Sequence, residues 1–210
     1  MNINRIFIIG LPRTGTTSVC HTFLELGFNT AHTAYTKQCI NDAQVIADTP
    51  VFNDFVALDK LYPNSKFIYL ARDFSLWAPS IRQLLQRMFN NLTREDGGFN
   101  PHIKRCYSDT FKNLTLDNIA CDNYLKEQYL HHFEQAHGYF KNREHDFLSI
   151  NISHKSSFEQ LCDFLNCSVP EHLNDFKKMN MGGKVTAWNN IKHPHKVAST
   201  TNGKIDKVIY

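Results

Sequence analysis

Three absences narrow what this chain of 210 residues encodes. No stretch is apolar over the roughly 20 residues that a membrane-crossing helix needs, so no membrane span is expected. No Cys-x-x-Cys pair occurs. Cys20, Cys39, Cys106, Cys121, Cys162 and Cys167 are scattered, without zinc-site spacing and too loosely for a disulfide framework. No strong charge of either sign is present. A formal net charge of +3 suits an anionic small ligand and is too weak to argue for nucleic acid, which is not expected as a partner. The apolar run near the first residue is too short for the core of an export signal. The Asn-x-Ser/Thr triplets at Asn91, Asn113, Asn151 and Asn166 are therefore read as chance matches, with the cytoplasm as the expected compartment.

What is present is core material. A hydrophobic fraction of 42% and sixteen phenylalanines belong to a folded protein. The length suits one α/β domain spanning residues 1–210. Ile6 to Ile9 is a short continuous apolar run, as in a strand buried on both faces. Gly10 ends it, Val19, Phe23 and Leu26 follow at near-helical spacing, and Gly27 stands where a helix C-cap is expected. Lys66 to Ala71 predicts a second strand after the turn Tyr62-Pro63-Asn64-Ser65, and a helix follows from about Ser75 to Phe89. Pro79 falls in its first turns, where proline is tolerated. Asn90 to Cys121 is polar and aperiodic, which predicts a lid, a substrate loop or disorder. Tyr124 to Phe140 reads as helix, Phe147 to Ile152 as strand, and Ser157 to Leu165 as an amphipathic helix. The tail from Met179 carries no placeable element. The alternation predicts an α/β fold, a P-loop-type parallel sheet flanked by helices on both faces.

The chemistry concentrates in Gly10-Leu11-Pro12-Arg13-Thr14-Gly15-Thr16-Thr17-Ser18. A tight strand-to-helix loop turns backbone N–H groups toward one point, and the helix N-terminus adds positive potential there. Thr16, Thr17 and Ser18 add hydroxyls. The glycine spacing equals that of a Walker A loop, yet Thr16 stands where that loop has its lysine, and the strongest cation is Arg13. A second feature is Phe67-Ile-Tyr-Leu-Ala-Arg72-Asp73, with Ser80 eight residues after Arg72. An arginine at the carboxyl end of a parallel strand points toward the ligand crevice, and its planar fork suits a phosphate.

These two motifs resemble the sulfotransferases that use 3′-phosphoadenosine 5′-phosphosulfate (PAPS). The first is similar to the family's 5′-phosphosulfate loop, in the branch that carries arginine in place of lysine; the second is similar to its 3′-phosphate clamp. The resemblance covers roughly residues 5 to 90 well and Phe147 to Pro170 more loosely. It implies that Pro12, Arg13, Thr14, Gly15, Thr16, Thr17, Ser18, Arg72 and Ser80 bind the cofactor, without a metal, and that Arg13 also serves catalysis. Gly182-Gly183-Lys184, with Trp188 beyond, is similar to the family's C-terminal cofactor segment. The Arg-Lys pair of that segment is replaced by Met181-Gly182, and Lys184 is the substitute cation.

Transfer to a hydroxyl or amine acceptor, a small molecule or a glycan, needs a base. Asp48 stands two residues before Pro50 and some twenty before Arg72, as a histidine does in the family, and is the first candidate. Asp48-Thr49-Pro50 reads equally well as the start of a turn. Asp54 and His32 come next. Trp77 lines the adenine pocket or, more simply, packs. The pairs His131-His132 and His193/His195 read as solvent-exposed histidines rather than metal ligands. The rival classes are a P-loop small-molecule kinase, against which the missing loop lysine speaks, and a nucleotide-binding homologue without turnover.

Overall fold

The computed structural model describes residues 5–177, 179 and 188–210. Lys184, with Met181, Gly182 and Gly183, lies outside the described residues. Five strands form one parallel sheet: β1 (Ile6–Ile8), β2 (Thr30–Ala31), β3 (Val45–Ala47), β4 (Lys66–Leu70) and β5 (Phe147–Ile150), in the order β2-β3-β1-β4-β5. Ile6 pairs with Val45 on one side and with Lys66 on the other. Side chains alternate across the strands, so Ile6, Ile8, Val45, Ala47, Ile68 and Leu70 share one face. That face is covered by α1 (Thr16–Glu25) through Val19 and Phe23 and by α8 (Ser157–Leu165) through Phe158 and Leu161. Phe7, Ile9, Ile46, Phe67 and Tyr69 face the other way. They meet α2 (Lys37–Asp42), α3 (Val51–Leu61) and α7 (Asp122–Tyr139) through Ile40, Phe55, Leu58 and Ala136. The sheet is thus the parallel, doubly covered one that the alternation predicts.

Residues 90–121 correct the expectation of an irregular lid. The helix after β4, α4, runs from Phe74 to Thr93, and α5 (Pro101–Thr110) and α6 (Leu116–Ala120) follow. Asn100 caps α5 by accepting a hydrogen bond from Ile103 N at 3.0 Å, with Pro101 at the tolerated first position. Thr115 caps α6 in the same way through Asn118 N. Leu85, Cys106, Tyr107, Phe111, Ile119 and Leu125 form a third core in which α4 to α7 pack on one another. Only a narrow stripe of α5 is buried, which leaves most of its residues polar and hides the period from a hydropathy reading. His132 is corrected with it. The residue is buried on α7, its Nε2 2.7 Å from Phe52 O and its ring against Tyr69, because α7 lies on the sheet.

The chain after 193 finds its place on the sheet edge. Val197 N donates to Thr30 O at 2.9 Å and Thr30 N to His195 O at 2.8 Å, a parallel bridge outside β2 that covers the unpaired edge. The segment then brackets Tyr35 through Ser199 O and Asp206 N, and the Tyr210 hydroxyl donates to Asp54. Asp54 also receives two N–H groups from Arg105 at 2.7 and 2.5 Å and one from Asn53 at 2.9 Å. Burial by itself would raise the Asp54 carboxyl, but the donors from Arg105, Tyr210 and Asn53 outweigh it and hold the group below its ordinary range.

The third core yields a stability prediction. Phe111 is fully buried in it, so Phe111→Ala is expected to cost about 3–5 kcal/mol by denaturant unfolding; a loop residue would cost almost nothing. Asp54 yields a second. A carboxyl depressed in the folded state adds stability above its unfolded value of about 3.9 and loses it as pH falls through the lower folded value. Asp54→Asn is therefore expected to be less stable than wild type at neutral pH. The gap should close below about pH 4, read from unfolding curves across pH.

Candidate active site

Because all strands are parallel, the segments leaving β1, β2, β3 and β4 gather at one edge of the sheet. The chain runs from β1 to strands on one side and crosses to β4 on the other. The crevice at the carboxyl end of β1 is thus a topological switch point, the usual place for a ligand in such sheets.

The loop from β1 to α1 is closed by contact rather than by choice. A Cβ on Gly10 would lie 2.6 Å from Leu70 Cβ and 2.7 Å from Thr14 Oγ1, so only glycine fits between the β1 and β4 strands. Gly15 takes φ 107° and a Cβ there would collide with the Ile152 side chain. It precedes α1 without a capping side chain, which leaves the first-turn N–H groups to a ligand. The loop's carbonyls are engaged from behind: Trp77 Nε1 donates to Pro12 O at 3.0 Å and Arg72 Nη1 to Arg13 O at 2.6 Å. Trp77 is fully buried, which decides for packing over an adenine wall. Thr14 turns inward, donating to Leu11 O at 2.7 Å, and Ser18 Oγ accepts from Met179 N at 3.3 Å.

Arg13, Arg72 and Ser80 come together. Arg13 Nε donates to Ser80 Oγ at 2.9 Å, and the Tyr129 hydroxyl braces Arg72 by donating to its carbonyl at 2.7 Å and accepting from its N–H at 3.1 Å. Arg72 makes no ion pair with Asp73, whose carboxylate instead accepts from Asn151 at 3.2 Å. Burial first, then repulsion from Arg87 and Arg72, lowers the Arg13 guanidinium from its ordinary value. It remains a cation at neutral pH in search of an anion.

On the other side of the crevice stand Asp48, after β3, and His32, after β2. Asp48 Oδ1 accepts from Thr49 N at 2.8 Å and Thr49 Oγ1 at 3.2 Å, while Oδ2 lies 4.0 Å from His32 Nε2. The same His32 nitrogen lies 3.2 Å from Thr16 Oγ1 and 3.1 Å from Thr17 Oγ1, and its ring stacks on Trp188. Burial lowers the His32 pKa against the opposing charge of Asp48, so the ring is neutral at neutral pH. Asp48 also acts electrostatically on Arg13, Tyr35 and Tyr107, which places the carboxylate in the heart of this edge. Asp54, by contrast, is spent on Arg105 and Tyr210.

Backbone strain singles out one of these residues. Arg13 (φ 74°) holds a left-handed conformation, and every other non-glycine with positive φ among the described residues is asparagine or, at Asp48 (φ 48°), aspartate, which tolerate it. Such a conformation costs of order 1–3 kcal/mol and persists where surrounding contacts impose it. Sequence reading missed Tyr107, Tyr129 and Arg87. The only signal for Arg87 is its place seven residues beyond Ser80, on the same face of α4.

The edge therefore offers two arginines and a helix N-terminus to an anion, with a carboxylate and a neutral histidine close by. Comparison with known proteins agrees with such chemistry. No curated protein matches the chain. A family model described as a sulfotransferase domain matches residues 5–37 and 33–185, most of the chain. The chain belongs to the sulfotransferase domain family.

Proposed function

We propose that the protein transfers a sulfuryl group from PAPS to a hydroxyl or amine acceptor and releases adenosine 3′,5′-bisphosphate. The observation that carries this reading is the joining of Arg13, Arg72 and Ser80 across the loops after β1 and β4. Neither arginine has a carboxylate partner among the described residues. The residues fit the donor. Arg72 and Ser80 would hold its 3′-phosphate, and the first-turn N–H groups of α1 would hold the 5′ end. Arg13 would supply positive charge to the oxygen on which negative charge develops.

In the transfer the acceptor oxygen or nitrogen forms a bond to sulfur as the bond from sulfur to the bridging oxygen breaks. Negative charge grows on that oxygen, and Arg13, half-buried and without a carboxylate partner, stabilises it more in the transition state than before. The acceptor's proton passes to Asp48. Its Oδ1 is held by Thr49, which leaves Oδ2, the oxygen toward His32, to take the proton. His32 keeps Thr16 and Thr17 in place and, being neutral, places no competing positive charge beside the base.

Two measurements test this. Calorimetry is expected to show adenosine 3′,5′-bisphosphate binding far more tightly than AMP. A charged hydrogen bond contributes about 1.5–3 kcal/mol, so Arg72→Ala should weaken the bisphosphate by about one to two orders of magnitude. Ser80→Ala, which leaves the Arg72 contact to the loop intact, should weaken the bisphosphate and spare AMP. Equal affinity for the two nucleotides would end the donor assignment. The base is tested by Asp48→Asn, expected to keep the fold and bisphosphate affinity while lowering turnover by roughly 10²–10⁴. Near-normal turnover in Asp48→Asn together with loss in His32→Ala moves the base to His32.

A further inference from the structure

The cysteines of this protein divide by surroundings. Cys20, Cys39 and Cys106 are sealed in the cores, and Cys121 is exposed ahead of α7. Cys162 and Cys167 meet each other where α8 ends. Asn166, just past the helix, takes the left-handed conformation (φ 48°). Its N–H donates to Asp163 O at 3.1 Å, and the Cys167 N–H donates to Cys162 O at 3.3 Å. This pair of bonds is the Schellman turn, which folds the residue after the left-handed one back onto the last turn of the helix, where two apolar side chains commonly touch. Here both side chains are thiols. The Cys162 S–H donates to the Cys167 sulfur. Cys162 belongs to the first core, and the half-buried Cys167 packs against that core.

A cavity of about 450 Å³ opens over the pair, lined by both cysteines together with Phe158, Glu159, Asp163 and Val169. Glu159 and Asp163 are exposed carboxylates one turn apart on α8, so a small cation is drawn to this opening. Among the described residues no group of three or more His, Cys, Asp or Glu is placed to hold a metal ion, which leaves the chemistry of the two thiols themselves. The two are unequal. Burial pushes both up, Cys162 to about 12, and the hydrogen bond between them raises Cys162 further while opposing the rise at Cys167. The more accessible sulfur is thus also the one whose thiolate has a donor waiting for it, and the thiolate is the form that attacks a disulfide.

We propose that Cys162 and Cys167 form a reversible disulfide by exchange with a small organic disulfide that enters this cavity. In the first step the Cys167 thiolate bonds to one sulfur of the reagent, whose S–S bond breaks, and one small thiol leaves with the Cys167 proton. In the second the Cys162 sulfur bonds to Cys167, the mixed disulfide breaks, and a second small thiol leaves with the Cys162 proton. The two cysteines are oxidised together and the reagent is reduced to two thiols. The site is independent of the donor assignment. Ser157, at the first turn of α8, bonds Asn151 O beyond the carboxyl end of β5 at 2.7 Å, whereas the dithiol sits at the other end of that helix.

The test uses cystamine, a cationic disulfide suited to the carboxylates at the opening. The folded, reduced protein is incubated with it, quenched in acid, alkylated with N-ethylmaleimide and cut on the N-terminal side of Asp163, which separates the two cysteines for mass spectrometry. The linked Cys162–Cys167 peptides are expected to exceed the mixed disulfide on Cys167 about tenfold or more, because the second step is intramolecular. Exposed Cys121 should carry the cysteamine adduct, while buried Cys20, Cys39 and Cys106 stay alkylatable. Excess cysteamine should return both thiols. In Cys162→Ala the reaction should stop at the mixed disulfide on Cys167. The proposal is overturned if Cys162 and Cys167 are both alkylated in wild type while Cys121 has taken the adduct. It is overturned equally if wild type stops at the mixed disulfide as the variant does, or if either cysteine links to any other.

Discussion

A loop that turns its N–H groups toward a ligand must dispose of its carbonyls, and the rest of the site depends on how this protein does so. Trp77 takes the Pro12 carbonyl and Arg72 the Arg13 carbonyl, so two residues from the segment after β4 hold the loop after β1 in its ligand-facing conformation. A buried, unpaired carbonyl would cost on the order of 1–3 kcal/mol, and these two donors avoid that loss. The same bonds make Arg72 do two things at once, brace one loop and present positive charge to the crevice. Tyr129 of α7 fixes it from a third direction by bonding both its N–H and its carbonyl. Strain at Arg13 is sustained because its backbone is gripped in this way.

Charge distribution follows from the same economy. The protein ties its carboxylates to the arginines that serve structure, Asp54 to Arg105 and Asp59 to Arg143, and holds them away from the crevice. Pairing lowers Asp59 through its bonds from Arg143, so this carboxylate is fixed as an anion as Asp54 is. Asp48 escapes such pairing. Its nearest cationic candidate is a histidine that burial keeps neutral, and its side chain is bonded by the hydroxyl and N–H of its own neighbour. Two aspartates six residues apart thus end in opposite situations, one held by an arginine fork and one without an arginine partner among the described residues. The distinction arises because α5 brings Arg105 and the C-terminal segment brings Tyr210 to Asp54 alone.

How much of this was legible varies with the range of the interactions. β1, its loop, α1, β4, α7 and α8 could be read because each is a local pattern: a continuous apolar strand, glycines at a turn, or an amphipathic stripe. β2, β3 and α2 are only two to six residues long, too short for any period to register. α5 escapes a hydropathy reading because its buried positions, His102, Cys106 and Tyr107, include a histidine and a tyrosine, with Ile103 only partly buried beside them. A hydropathy pattern cannot show that a histidine is buried when its partner, here Asp206 O against His102 Nε2, lies about a hundred residues on. The reading of His132 as a surface residue fails for the same reason, its partner Phe52 O lying 80 residues away.

What the sequence by itself determined is the chemistry on offer. The residues from Gly10 to Ser18 and the spacing of Arg72 and Ser80 specify a tight loop ahead of a helix and a serine two turns beyond an arginine, because backbone conformation at glycine and the pitch of a helix are local properties. The family is shown by a match that runs over residues 5–37 and 33–185. Tertiary structure alone decided which groups meet: that Arg13 reaches Ser80, and that Asp48 faces His32 while Asp54 is consumed. Those outcomes depend on strand order and on the packing of α4 to α7 over the crevice. Electrostatic interaction falls with distance in space and is indifferent to separation along the chain. Which charges answer one another was therefore settled only when the sheet and its helices had closed.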